Sequence, residues 1–242
     1  MNNERYWQID ALRGVAIAGM VIYHFLVDLE MIFQVPIGVY KFPVVILARI
    51  TAILFIALAG ISASVKFERI RSVGSRAVWL SYGKRALEIL FWAGIVSAVT
   101  YIMFPGETVV MGILHFLGLS TLLIVPLLYI KNNLWIGIMA LVTFVLAIFI
   151  PNIVATHYWL IPLGIVPKTF GSLDYFPLIP WFGVMLLGVI IGKSLSKKLE
   201  LNVGAVSGMC KLLTMIGQKS LLVYLVHQPI LWGVMTLITI LR

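Results

Sequence analysis

Few residues of this sequence could do chemistry, because 62% of its 242 residues are hydrophobic and only 11% are charged. His24 and Asp28 stand four positions apart in an apolar stretch, so on a helix they share one face. A carboxylate in this position can accept the ring N–H of a histidine and fix the tautomer of a catalytic base. The pair therefore predicts general-base chemistry at His24. The alternative is a structural histidine beside an interfacial carboxylate.

The elements that position these residues must be membrane-spanning helices, because a mean hydropathy of +1.07 is too high for a soluble core with a polar surface. A spanning helix needs roughly 20 mostly apolar residues. Seven stretches meet this condition: 12–30, 43–66, 84–104, 109–130, 133–150, 176–194 and 220–241. We therefore expect an all-α, polytopic protein of the cell membrane that forms a single domain over residues 1–242.

Two further apolar segments are too short or too interrupted to count as spans. Residues 153–167 contain two prolines, and we expect them to form a lid or a re-entrant piece outside the bilayer. Residues 203–216 contain Lys211, which favours a helix that lies at the membrane interface. Three glycines of the sixth stretch are expected to permit close helix packing: Gly183, Gly188 and Gly192.

The distribution of basic residues predicts the orientation, because cytoplasmic loops carry an excess of Lys and Arg. Fourteen basic residues fall on one side of the seven stretches: Arg5, Arg13, Lys66, Arg69, Arg71, Arg76, Lys84, Arg85, Lys131, Lys193, Lys197, Lys198, Lys211 and Lys219. The other side has Lys41, Lys168 and Arg242. This asymmetry places the amino terminus in the cytoplasm and the carboxyl terminus outside.

With this orientation, several ionisable residues reach the same depth as His24. Arg49 and His115 each lie within about 10 Å of the outer surface by the rise of a helix, and Asp174 lies on the same outer rim. Charged groups at membrane depth usually face a polar cavity, so we expect one wet chamber here. His227 falls near the middle of the membrane, where it could line a passage between the two sides. Each residue also has a structural interpretation; Arg49, for example, could be a counter-ion for a carboxylate.

Most basic residues of the predicted loop after the second stretch form a cluster: Arg69, Arg71, Arg76, Lys84 and Arg85. The simplest interpretation is a determinant of topology that also contacts anionic lipid. The alternative is that the same charges bind the phosphates of a soluble donor. Arg13 has a similar ambiguity, because it could be a positive-inside anchor next to a first-turn acid, Asp10.

Five blocks of the sequence resemble, in order, the bacterial and archaeal relatives of heparan-alpha-glucosaminide N-acetyltransferase. They are IDALRGVAIAGMVIYHFLVDL, ARITAILFIALAGISAS, GILHFLGLS, FPLIPWFGVMLLGVIIGK and IGQKSLLVYLVHQPIL. The ten residues between Arg13 and His24 are also similar to the first-helix motif of the broader transmembrane acyltransferases that modify envelope sugars. The chain thus resembles a single transmembrane acyltransferase domain.

This resemblance implies that the acetyl group of cytoplasmic acetyl-CoA is transferred to an amino sugar or envelope glycan at the outer face. It implies acetyl-CoA as the acyl donor, with no metal expected. Four basic residues would contact the phosphates of the coenzyme: Arg13, Arg69, Arg71 and Arg85. We expect Asp174 and His227 to contact the substrate. The resemblance is also compatible with a homodimer.

Within the acyltransferase interpretation, His24 would act as general base toward the acceptor or would itself carry the acetyl group for a time. Asp28 would orient it, while His115 and Arg49 would stabilise the oxyanion or bind the acceptor. The catalytic histidine of the animal lysosomal enzymes does not obviously align with His24, so the base is either His24 or His115. Those animal enzymes also have a large lumenal domain and more helices than the seven stretches here.

A second class of function uses the same buried charges differently. A transporter or flippase could employ them as a proton relay or a substrate path. The sequence favours the enzyme, because it shows no recognisable inverted repeat. A purely structural subunit is the third possibility, and it would leave the ionisable groups without a purpose.

Overall fold

The computed structural model of the protein describes residues 6–195 and 208–241, most of which lie in helices. The α-helices are α1 (Trp7–Phe33), α2 (Val44–Ile70), α3 (Ser75–Met103), α4 (Ile113–Leu128), α5 (Asn133–Phe149), α6 (Leu178–Leu195), α7 (Gly208–Gln218) and α8 (Ser220–Ile240). Some residues that the sequence arguments used lie outside the described ranges: Arg5, Lys197, Lys198, 203–207 and Arg242.

Six of the described helices are long and apolar enough to cross a membrane, namely α1, α2, α3, α5, α6 and α8. The remaining predicted span, α4, is a shorter apolar helix of 16 residues. Its length is about 24 Å at 1.5 Å per residue, against roughly 30 Å of hydrocarbon. The expectation of an all-α, polytopic membrane protein is confirmed.

Helix ends are where the sequence interpretation was wrong. α2 continues to Ile70 and α3 begins at Ser75 rather than at 84, so five basic residues that were predicted in the loop lie on helices: Lys66, Arg69, Arg76, Lys84 and Arg85. α1 likewise begins at Trp7, five residues before the predicted start at 12. The physical reason is that hydropathy detects only the apolar part of a helix, whereas the backbone hydrogen bonds continue into its polar turns.

The first of two compact units comprises Met1–Leu58 and Glu200–Arg242. Within its described part, α1 packs along α7 and α8. Two glycines allow the close approach of α1 and α7. A Cβ atom at Gly14 would overlap the carbonyl group of Leu213, and one at Gly217 would overlap the carbonyl group of Asp10. The described part of the predicted interfacial helix therefore packs directly on α1.

The second unit comprises Ala59–Leu199, in which α3 packs on α4 and α5 packs on α6. The predicted close packing of α6 is confirmed. A Cβ atom at Gly183 would overlap Thr143 of α5, and one at Gly192 would lie 2.8 Å from the carbonyl oxygen of Ile61 on α2. Gly188 lies against Gly60 of α2, where an added Cβ atom would be 3.2 Å from the carbonyl carbon of Gly188.

The connection from α5 to α6 is held by hydrogen bonds rather than by long helices. It contains two short 3₁₀ helices, Ile150–Asn152 and Tyr158–Leu163. The hydroxyl of Tyr175 donates to the carbonyl oxygen of Ile161 at 2.8 Å. Burial raises the pKa of Tyr175 to about 12, so this hydroxyl stays protonated and remains a donor at physiological pH. The predicted lid, 153–167, is thus tied to the segment that precedes α6.

Candidate functional site

Two imidazole rings meet inside the first unit. The rings of His24 on α1 and His227 on α8 have centroids 5.0 Å apart and are tilted by 55°. His227 is buried, with 8% of its surface exposed. The ring of Tyr23 lies 5.6 Å from that of His24, and the ring of Tyr224 lies 5.6 Å from that of His227. The packing of α1 against α8 therefore brings together two titratable rings between two phenols.

The hydrogen bond of His227 determines which ring nitrogen carries its proton. Its Nδ1 lies 2.6 Å from the backbone carbonyl oxygen of Tyr224. A carbonyl oxygen can only accept a hydrogen bond, so Nδ1 is the donor. In the neutral ring, Nε2 then holds the free lone pair. This nitrogen is buried and has no hydrogen-bond partner among the described residues.

Asp28 does not hold His24 as the sequence predicted. Its two carboxylate oxygens instead accept hydrogen bonds from Nε2 of Gln228, at 2.9 and 3.1 Å. The side chain of Trp232 also hydrogen-bonds to Asp28. The physical reason is that an amide donor and an indole donor from α8 satisfy a carboxylate that is only 3% exposed. Asp28 thus joins α1 to α8. The imidazole that contacts the ring of His24 is that of His227.

Arg49 lies near the imidazole pair in the first unit. It is exposed on α2, and it lies close enough to Tyr23 for its charge to act on the phenol. Because Tyr23 contacts His24, the guanidinium group is one side chain removed from the imidazole pair. This arrangement is suited to attracting an anionic or strongly polar group toward His24.

A separate polar group surrounds His115 in the second unit. The hydroxyl of Ser97 on α3 donates to the carbonyl oxygen of Val109 and lies 3.3 Å from Nε2 of His115 on α4. Since this hydroxyl has one proton and donates it to Val109, Nε2 of His115 must be the donor to Ser97. Nδ1 of His115 is buried without a hydrogen-bond partner in the described part of the chain.

Asp174 lies next to this group and stabilises the start of α4. Its Oδ2 accepts the backbone N–H of Ile113 at 2.9 Å. A carboxylate at a helix amino terminus satisfies a free N–H and interacts favourably with the helix dipole. A Cβ atom at Gly112 would lie 2.5 Å from the same carboxylate oxygen, so the residue at this position has to be small. Any contact of Asp174 with substrate must share the carboxylate with this structural role.

The basic residues of the second unit are only partly neutralised. Six basic and two acidic residues lie between Lys66 and Glu88. Arg71 forms an ion pair with Glu68 at 3.1 Å, and Arg85 forms one with Glu88 at 2.8 Å. Both pairs are well exposed, and exposed pairs contribute at most about 1 kcal/mol. A phosphate group could therefore compete for these guanidinium groups.

Lys66 is a half-buried member of the same basic region. Its ammonium group donates to the carbonyl oxygen of Ser81 at 3.3 Å and lies 4.9 Å from the ring centroid of Tyr82. The hydroxyl of Tyr82 in turn donates to the carbonyl oxygen of Ala63. The ammonium group thus rests on neutral partners, and its positive charge remains available to attract an anion.

Arg13 has a structural partner in the first unit. It forms an ion pair with Asp10 at 2.9 Å, in which the side chains are only 21% and 7% exposed. Its guanidinium group also lies 3.5 Å from the carbonyl oxygen of Gly217 on α7. A phosphate contact of Arg13 would have to replace this partly buried ion pair.

The structure thus gathers the predicted residues into two groups. His24, Asp28, Arg49 and His227 belong to the first unit, and His115 and Asp174 belong to the second. Sequence reasoning missed the polar partners of the first group, Gln228, Trp232 and Tyr224, as well as Ser97 in the second. Gln228 could have been predicted from the sequence, because it is a polar amide within an apolar stretch and is adjacent to His227. The meeting of both groups in one chamber stays a prediction.

The comparisons with known proteins identify a family. The family model described as heparan-alpha-glucosaminide N-acetyltransferase, catalytic, matches residues 5–229 of the chain. No curated protein and no solved structure gives a significant match.

Proposed function

The chain belongs to the family of the heparan-alpha-glucosaminide N-acetyltransferase catalytic domain, and from this premise we propose that it transfers the acetyl group of acetyl-CoA to an acceptor on the other side of the membrane. The family and the apolar helices support a membrane acetyltransferase in general. The proposed acceptor is an amino sugar or an envelope glycan. The proposed location is the cell membrane.

The proposed sidedness follows from the basic residues. Those around the α2–α3 connection would face the cytoplasm by the positive-inside rule, where acetyl-CoA is found. The carboxyl-terminal half of α1, with His24 and Asp28, would then lie toward the outer face. Acetyl-CoA would approach from one side and the acceptor from the other.

The donor fits the basic surface of the second unit. Arg71 and Arg85 each form an ion pair with one carboxylate, partly exposed for Glu68 and exposed for Glu88, and Lys66 contacts neutral groups. A coenzyme phosphate would gain charge-assisted hydrogen bonds from such groups. Arg69 is proposed as a further contact from the same turn of α2, and Arg13 as a contact in the first unit.

The imidazole pair of the first unit would perform the chemistry on the acceptor. His24 would take the proton from the attacking amine or hydroxyl group, or would itself carry the acetyl group. Asp28, with its oxygens bonded to α8, would keep the two helices in register rather than contact His24 directly. Arg49 would attract the acceptor or stabilise the developing oxyanion.

The second polar group would assist from Nδ1 of His115 and from Asp174. In its present tautomer, His115 offers a buried lone pair, so it would accept a hydrogen bond from the acceptor. Stabilisation of an oxyanion by His115 would instead require its protonated form. We assign the role of base to His24, because its neighbour His227 provides a second imidazole to receive a proton.

The proposal depends mainly on the contact between the rings of His24 and His227. The chain belongs to a family of acetyltransferases, and this contact provides the imidazole groups that such a reaction needs. The first test is thermal unfolding of the purified chain in detergent with and without acetyl-CoA. A ligand that prefers the native state raises the unfolding temperature, so we expect an upward shift that saturates with coenzyme. Coenzyme A, which differs from acetyl-CoA only in lacking the acetyl group, measures how much of the shift depends on that group.

The second test is an assay of acetyl transfer from acetyl-CoA to glucosamine. We expect product from the wild-type chain and a strongly reduced rate from His24→Ala. The absence of both a thermal shift and product at saturating coenzyme would contradict the enzyme. That outcome would favour the alternative, a transporter or flippase that uses the same buried residues as a path.

A further inference from the structure

The nitrogen of His227 that faces away from Tyr224 has no structural task in the described residues. A histidine that only stabilises helix packing is expected to have both ring nitrogens satisfied, because an unpaired buried polar atom costs free energy. Nδ1 is satisfied by the carbonyl oxygen of Tyr224, but Nε2 is buried and unpaired. The lone pair on this buried nitrogen can therefore accept a proton.

The neighbours of His227 restrict where that proton can come from. On α1 the titratable residues at this level are Tyr23, His24 and Asp28. Both oxygens of Asp28 are already held by Gln228, and the ring nearest to His227 on α1 is that of His24. On α7, which also contacts α8, Lys211 is exposed. His24 is therefore the proton source that the geometry offers.

We propose that His227 is a positioning and proton-accepting partner of His24, which accepts a proton from His24 through Nε2 when His24 takes the proton of the acceptor. The inference rests on the proposed acetyl transfer. Ring centroids 5.0 Å apart leave the ring nitrogens within hydrogen-bond reach, about 2.6–3.2 Å, once the rings turn edge to edge. The hydrogen bond to Tyr224 keeps the proton of Nδ1 in place, so that Nε2 is the accepting atom.

The step balances without any additional reactant. The acceptor nitrogen or oxygen forms a bond to the acetyl carbon, and the bond from that carbon to the sulfur of acetyl-CoA breaks with its electron pair on sulfur. The acceptor proton moves to one nitrogen of His24, and the proton on the other nitrogen of His24 moves to Nε2 of His227. His227 becomes an imidazolium and later returns its proton to the leaving thiolate or to water.

Replacement of His227 by asparagine separates this role from a structural one. The amide nitrogen of asparagine can take the place of Nδ1 and donate to the carbonyl oxygen of Tyr224, but asparagine has no atom at the position of Nε2. We expect His227→Asn to unfold near the wild-type temperature and to keep the wild-type KM for acetyl-CoA. Its kcat for glucosamine acetylation should fall about 10²-fold, as for loss of acid–base assistance.

The pH dependence of kcat distinguishes a proton-accepting role of His227 from a packing role, because the loss of packing alone would not change the ionisation that kcat reports. Wild-type kcat should show an ionisation that belongs to the imidazole pair, and this ionisation should be altered or absent in His227→Asn. His157→Asn is the matched control, since it makes the same change at an exposed histidine. It should leave both kcat and its pH profile unchanged. If His227→Asn does not fold, the same measurements are made on His227→Gln.

Unchanged kcat and an unchanged pH profile in a folded His227 variant would overturn the inference while leaving the acetyl transfer intact. A loss that appears only in the unfolding temperature or in KM would overturn it as well, because it would assign His227 a packing or binding role. Absence of acetyl transfer by the wild-type chain would instead defeat the proposed function, and the inference with it.

Discussion

The two histidine sites of this protein differ in what lies beside the free nitrogen. In the first unit, Nε2 of His227 has no hydrogen-bond partner in the described part of the chain, and the ring of His24 is its neighbour. In the second unit, Nδ1 of His115 has no partner among the described residues, and Nε2 of the same ring lies against the hydroxyl of Ser97, which itself donates to a backbone carbonyl group. Two imidazoles can exchange a proton, whereas a serine held in this way mainly fixes a ring. The neighbours of a histidine therefore decide whether it moves a proton or holds a position.

The largest expected effect is at His24. His24→Ala should lower kcat for acetyl transfer by about 10³-fold or more, because it removes the group that meets the acceptor proton. Thermal stabilisation by acetyl-CoA should persist, since the proposed phosphate contacts lie elsewhere. The measurement is the initial rate of glucosamine acetylation, with the thermal shift as a check of folding. Full activity in this variant would show that His24 is not the base, and His115 would then be the remaining candidate.

A smaller effect is expected at His115. His115→Ala should lower kcat by about 10²-fold, because a binding or oxyanion contact is lost while the proposed base remains. Steady-state kinetics of His24→Ala and His115→Ala, measured side by side, rank the two sites directly. A larger loss in His115→Ala would make His115 the base.

Ser97 tests whether the second site serves mainly to hold its histidine. Ser97→Ala removes the donor to the carbonyl oxygen of Val109 and the acceptor for Nε2 of His115. We expect a loss of stability of about 1 kcal/mol and at most a ten-fold loss of kcat. Thermal unfolding and kinetics of one preparation measure both. Thr100→Val offers a nearby comparison, because it removes a different bond to the same residue, from Val109 N–H to the Thr100 hydroxyl.

The smallest effect concerns the donor rather than either histidine. The double variant Arg71→Ala with Arg85→Ala should raise the KM for acetyl-CoA about ten-fold and leave kcat unchanged. Its stability should hardly change, since both lost ion pairs are exposed. The matched variant, Glu68→Gln with Glu88→Gln, frees both guanidinium groups and should lower that KM. A KM that is insensitive to both double variants and to salt would remove these residues from the donor site.

Much of the fold follows from the sequence, because hydrocarbon imposes its own length and composition on a helix. The seven predicted stretches coincide with six long apolar helices and the shorter α4. Helix ends were predicted less well. The turns that extend α3 from the predicted start at 84 back to Ser75 contain Arg76, which hydropathy assigns to a loop. Local patterns thus identify the apolar part of each helix, but not the polar turns at its ends.

The site depends on contacts between distant parts of the chain, and these explain what the sequence could not provide. Spacing on α1 correctly puts His24 and Asp28 on neighbouring turns. It cannot reveal that an amide 200 positions away occupies both oxygens of Asp28. The same holds for His227, whose partner becomes visible only when α8 packs on α1. Residue type predicts the members of the candidate site, and helix packing shows which side chains contact them.

The contact of α1 with α7 and α8 also affects how the chain is made. The ribosome completes α1 before α7 and α8, so the glycine contact at Gly14 and Gly217 cannot form until α7 has been made. Residues 59–195 can meanwhile assemble among themselves. Until α8 emerges, the carboxylate of Asp28 is in the membrane without its amide partner. We therefore expect that α1 is sheltered, by lipid headgroups or by the insertion machinery, until α8 has been made and Gln228 can bind Asp28.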